Sequence, residues 1–97
     1  MLHLIVQAPI ESAVLARIDA GDAVVFQQRA IWNVMAGHVL QERLQRLLEN
    51  NCRLYVLQDD MEVNGIKPEQ LIEGIGIIDY QGLVELSVAN KVSKTWY

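Results

Sequence analysis

Residues 54–60 read LYVLQDD: a short unbroken apolar run, Leu54-Tyr55-Val56-Leu57, closed by a glutamine and two carboxylates. A strand with one wet face alternates apolar and polar residues. A continuous run suits a strand covered on both faces, as in a parallel sheet. The pattern recurs, nearly continuous, at Leu2–Val6, Ala23–Phe26 and Ile75–Ile78. These runs predict the strands of a mostly parallel sheet.

The stretches between them carry helical spacing. Ile10, Val14 and Ile18 lie four apart, and Gly21 follows where a C-cap would stand. Leu40, Leu44, Leu47 and Leu48 form an i, i+4, i+7, i+8 stripe, with Glu42 and Arg46 paired on the other side. Asn50-Asn51 closes that helix. Gly37, in the middle of 30–50, bends it or splits it into a short turn and a longer helix. A short helix over 60–64 stops at Asn64-Gly65, and Pro68–Ile72 is a turn. Asp79 is a good N-cap for a last helix running to about Asn90, although Leu83–Val88 is β-prone by composition. Lys91–Tyr97 adds a short edge strand guarded by its lysines. Strand and helix alternating through right-handed crossovers give one small three-layer α/β domain over 1–97. It has a sheet of four to five strands and helices on both faces. Functional groups in such sheets lie beyond the carboxyl ends of the strands. Those ends are Gln7-Ala8-Pro9, Gln27-Gln28-Arg29, Gln58-Asp59-Asp60 and Asp79-Tyr80.

Composition narrows the function classes. The 97 residues are 52% hydrophobic and 21% charged, which is apolar for so small a domain and predicts a sticky surface and a partner protein. No apolar run approaches the roughly 20 residues needed to cross a bilayer. The start, MLHLIV, has neither a basic region nor a cleavage site, so the expected location is cytoplasmic. Eight Lys and Arg stand against twelve Asp and Glu, for a net charge of −4, and direct nucleic-acid binding by the chain alone is not expected.

Cys52 is the one cysteine and precedes the Leu54–Leu57 run, on the rim opposite the loops just named. A reactive thiol needs a helix N-terminus, a cation or a metal to lower its pKa. Arg53 is adjacent but points to the other face of a strand. Cys52 reads as core or rim filling before it reads as a sulfur nucleophile. His3 lies in the first strand, expected half-buried and hydrogen-bonded, and His38 lies beside the Gly37 bend. Two histidines and one cysteine without short spacing make no zinc site, so no metal is expected. Asp59, Asp60 and Glu62 could hold magnesium, but capping of the following helix is the simpler role. Gly74-Ile75-Gly76 precedes a strand, so it lacks the phosphate-cradling geometry, and no cofactor is expected. Ile31, Trp32, Val34, Met35 and Val39 surround a segment too apolar to have one wet face. Ile31, Trp32, Met35 and Val39 are therefore interface candidates, with Trp96 in a second aromatic patch at Thr95-Trp96-Tyr97.

Several of these segments together resemble a known family. MLHLIVQAP at the start, GDAVV at 21–25, LYVLQDDMEVNGI at 54–66, GIGIIDYQGLVEL at 74–86 and the closing Trp96 follow the order and spacing of the TusB/DsrH family. The likeness covers essentially the whole chain. It implies a flavodoxin-like fold of the DsrE/F/H type and a place in sulfur relay. TusB-like subunits assemble with TusC-like and TusD-like paralogues into a heterohexamer that passes persulfide sulfur toward 2-thiolation of the wobble uridine of tRNA. DsrH-like members serve the equivalent complex of sulfur oxidation. The carrier cysteine belongs chiefly to the TusD/DsrE-like subunit.

The departures are informative. Where family members often carry an acidic-Asp-Gly triplet after the second strand, this chain has Gln28-Arg29-Ala30. The first-helix cysteine of some DsrH-like members is matched here by Val14, and Cys52 matches no family cysteine. The resemblance thus implies a non-catalytic structural subunit without activity alone. A persulfide carrier using Cys52 and a DsrH-like sulfur-oxidation subunit are the alternatives. A third reading is a homo-oligomer binding a small ligand at Asp59-Asp60, and some self-association of the isolated chain is expected.

Overall fold

The computed structural model describes all 97 residues, Met1–Tyr97. Five strands form one all-parallel sheet: β1 (Leu2–Ile5), β2 (Ala23–Phe26), β3 (Arg53–Leu57), β4 (Gly76–Ile78) and β5 (Ser93–Trp96). Their order is β4-β3-β2-β1-β5. The first three crossovers therefore step one way across the sheet, and the fourth returns past all of them to the far side of β1. Because crossovers share one hand, a reversal of direction moves the connecting helix to the opposite face.

The side chains bear this out. The first face carries Ile5, Val24, Phe26, Leu54 and Val56. They pack with α1 (Ser12–Ala16), α2 (Gln41–Glu49) and α3 (Gln58–Asn64) through Val14, Leu15, Leu44 and Met61. The second face carries Leu2, Ala23, Val25 and Leu57, with Leu83 and Leu86 of α4 (Tyr80–Ala89) against it. The result is a three-layer α/β domain, as the apolar runs predict. The layers are unequal: 18 buried residues form the first core and only four the second.

The local signals mostly act as expected. Asp79 caps α4, its Oδ1 accepting from the Gly82 N–H at 2.8 Å. Gly65 takes φ +68°, a left-handed conformation that costs other residues more, and ends α3 while the Ile66 N–H reaches back to the Met61 carbonyl. Three boundaries differ. The 30–50 stretch is split: Gln28–Val34 is a 3-10 helix, Gly37 turns at φ +88°, and α2 begins only at Gln41. With three residues per turn, Ile31 and Val34 fall on one side, and both are fully buried. Gly21 is not the C-cap of α1, a role taken by Arg17; it turns at φ +84° before β2. Helix α3 starts at Gln58, two residues before Asp60. No helix is long and apolar enough to cross a membrane.

Candidate functional site

The loops beyond the strand ends are where ligand sites of open α/β sheets form, above all where the direction of crossover reverses. Here that point lies between β1 and β5, and it is closed. Gln7 spans it, its Nε2 donating to the Tyr97 carbonyl at 2.8 Å and its Oε1 accepting from the Glu11 N–H at 2.8 Å.

The neighbouring rim is tied in the same way. Gln28, where the family triplet is replaced, adopts φ +52°, and its N–H donates to Asp60 Oδ2 at 2.8 Å. This corrects the expected capping role: α3 begins from Leu57 with no side-chain cap, and Asp60 bonds the loop after β2 instead. Asp59 and Asp60 do lie in the first turn of α3, where the helix dipole favours negative charge. No group of three or more His, Cys, Asp and Glu side chains is arranged to hold a metal ion.

Cys52 is 4% exposed. Its thiol donates to the carbonyl of Asp19, in the loop after α1, at 3.3 Å, at the amino end of β3. The thiol is enclosed and engaged as a donor, so it is not open to a substrate in this conformation.

His3 is more buried than expected, at the centre of a polar cluster. Its Nδ1 receives the Trp96 indole N–H at 3.2 Å, and its Nε2 lies 2.9 Å from Asp22 Oδ2. Indole can only donate, so Nδ1 is the acceptor, and the proton sits on Nε2 and points at the carboxylate. Asp22 also receives the Asp19 N–H at 2.9 Å and the Met1 amine at 3.1 Å. Burial pushes the Asp22 carboxyl up, but those bonds outweigh it and hold the group below its ordinary 3.8. His38 has a local role, its Nδ1 accepting from the Leu40 N–H at 3.1 Å.

The five interface candidates do not converge. Ile31 is fully buried and so belongs to the core, not to a surface. Met35 is half-buried against that core. Trp32 is 47% exposed, its indole N–H bonded to Asn64 Oδ1 at 3.0 Å, and Val39 is 88% exposed. Trp96 is half-buried on the β5 edge strand, with β1 between it and β2.

The larger apolar surface lies on the second face and was missed in the sequence. Helix α4 has no fully buried residue. Its inner side, Leu83 and Leu86, covers the sheet only partly. Its outer side shows Tyr80, Val84 (60% exposed) and Val88 (81%), and Val92 is exposed just past its end. An open groove of about 290 Å³ runs along α4 where it meets the sheet, lined by Tyr55, Ile78, Gly82, Glu85, Leu86 and Ala89. A helix with apolar residues on its outer as well as its inner side ordinarily has a partner covering it. The signal was in the sequence as Leu83-Val84, Leu86 and Val88, an excess of apolar positions for one buried stripe.

Comparison with known proteins agrees with this architecture. A family model described as DsrH like protein matches residues 7–93. A protein named Protein TusB from Pectobacterium parmentieri is 32% identical, with 99% of this chain and all of that protein aligned. Protein TusB from Erwinia tasmaniensis is 29% identical over the same share of each. Among solved structures, the ychN protein from E. coli superposes with a TM-score of 0.78 at 15% identity, covering 98% of this chain and 97% of that one. A protein of unknown function from Methanobacterium thermoautotrophicum gives 0.77 at 14%, covering 98% and 96%. At such identities these two establish the fold alone.

Proposed function

The chain belongs to the TusB/DsrH family, and from that premise we propose that it is a non-catalytic structural subunit of a cytoplasmic sulfur-relay complex. In this reading it assembles with TusC-like and TusD-like paralogues, and the complex passes persulfide sulfur toward 2-thiolation of the wobble uridine in tRNA. One observation carries the structural role: the second face of the sheet is covered by a single helix whose outer side is itself apolar and exposed. Monomeric proteins rarely expose such patches, and a partner subunit laid over α4 would complete the layer. Trp32 and Val39 offer a second contact on the other side of the sheet.

The carrier role falls to a partner on chemical grounds. Persulfide transfer needs a thiolate that a donor can reach, and the Cys52 thiol is buried and donates to a backbone carbonyl.

Co-expression with TusC-like and TusD-like proteins followed by size-exclusion chromatography tests this function. The expected result is one co-eluting species containing all three chains. Separate elution would sink the assignment.

A further inference from the structure

The proposed function leaves unassigned a cleft of about 370 Å³ on the first face, at the β5 edge. It is lined by Met1, His3, Arg17, Lys94 and Trp96. We propose that this cleft is a binding site for a phosphate group, held between Arg17 and Lys94.

The site is braced from beneath. His3 is fully buried, fixed by Asp22 on one nitrogen, and on the other it receives the Trp96 indole N–H. The two rings stack, 6.4 Å apart at 16°. Trp96 in turn carries the Lys94 ammonium, 5.1 Å from its ring centroid. The ammonium is therefore stationed over a fixed aromatic surface instead of swinging free. Arg17, just past the end of α1, also lines the cleft.

Neither cation is neutralised from within the chain. Glu42 pairs with Arg46, and Asp22 is occupied by the Met1 amine, His3 and the Asp19 N–H. Arg17 and Lys94 face the cleft with no carboxylate partner, in a chain whose net charge is −4. Two cations lining one cleft match a group carrying close to two negative charges, as a phosphate monoester does near pH 7. Guanidinium and ammonium donors make their strongest hydrogen bonds to such oxygens. A carboxylate would balance only one of them.

The cleft contains its own reporter. In a Trp32→Phe background, Trp96 is the sole indole, and its fluorescence is followed while inorganic phosphate or a nucleoside monophosphate is added at constant ionic strength. A saturable change with half-saturation near about 1 mM is expected, and chloride alone gives none. Arg17→Gln and Lys94→Gln should each weaken binding by about tenfold, while Lys67→Gln, near the β4 edge at the other end of the sheet, leaves it unchanged. If the nucleoside monophosphate binds more tightly than free phosphate, the ligand is a phosphorylated small molecule; equal binding assigns the site to the free ion. Phosphorus NMR line broadening on the unsubstituted protein repeats the measurement without the Trp32 change. No saturable response in either assay, or equal weakening by Lys67→Gln, would overturn the proposal.

Discussion

The indole N–H of Trp96 donates to Nδ1 of His3 at 3.2 Å, joining the last strand to the first through two side chains 93 residues apart. Both edges of that link matter: β5 has only β1 as a neighbour in the sheet, and His3 is the inner end of the Asp22 cluster. Trp96→Phe keeps an aromatic ring but removes the donor, leaving His3 Nδ1 unpaired. It should lower unfolding stability by about 1–2 kcal/mol in urea titrations, and no change would show that the bond is not maintained in solution.

Asp22 makes stability depend on pH with a defined sign. Its carboxyl is held below 3.8 in the folded chain, so the charged form is favoured by folding. The contribution is present above the unfolded value, near about 4, and is lost as pH falls through the folded value. Asp22→Asn should therefore be less stable than the parent protein at pH 7, with the gap narrowing below about pH 4. A gap that stays constant from neutral to acid pH would contradict the ionised cluster.

The buried thiol gives a direct chemical measurement. Native Cys52 should react with a thiol-specific disulfide reagent at least about 100-fold more slowly than in denaturant, because access requires local opening. In an assembled complex, Cys52→Ser should leave sulfur transfer nearly intact. Loss of transfer in a complex that still assembles would move the carrier role to this chain.

The outer side of α4 can be charged without disturbing the core. Val84→Glu and Val88→Glu replace exposed side chains, so the isolated chain should stay within about 0.5 kcal/mol of its original stability. Co-elution with the paralogous partners should be weakened or lost. Retained assembly with both glutamates present would place the docking face elsewhere, with Trp32 and Val39 next to be tested.

The fold was legible because its signals are local. Continuous apolar runs marked β1 to β4, Asp79 marked the start of α4 and Gly65 the end of α3, each through the conformational preference of a few neighbouring residues. The split of 30–50 was readable at Gly37, but the 3-10 geometry that buries Ile31 was not, since an apolar residue looks the same in a core and on an interface. That ambiguity misplaced Ile31 among the surface candidates and hid the apolar outer side of α4 behind its β-prone composition.

By itself, then, the sequence determined a parallel α/β sheet, its helix boundaries to within a few residues, and a TusB/DsrH-like chain with an apolar surplus. Only the tertiary structure decided where the surplus lies and which polar groups meet. The return of the chain across the sheet to β5 puts a single helix on the second face, and it brings Trp96 to His3 and Lys94 to the cleft beside Arg17. The Asp60 bond to Gln28 likewise joins two strand ends. Such contacts are made between residues tens of positions apart, so they depend on strand order and register, which no local run of residues encodes.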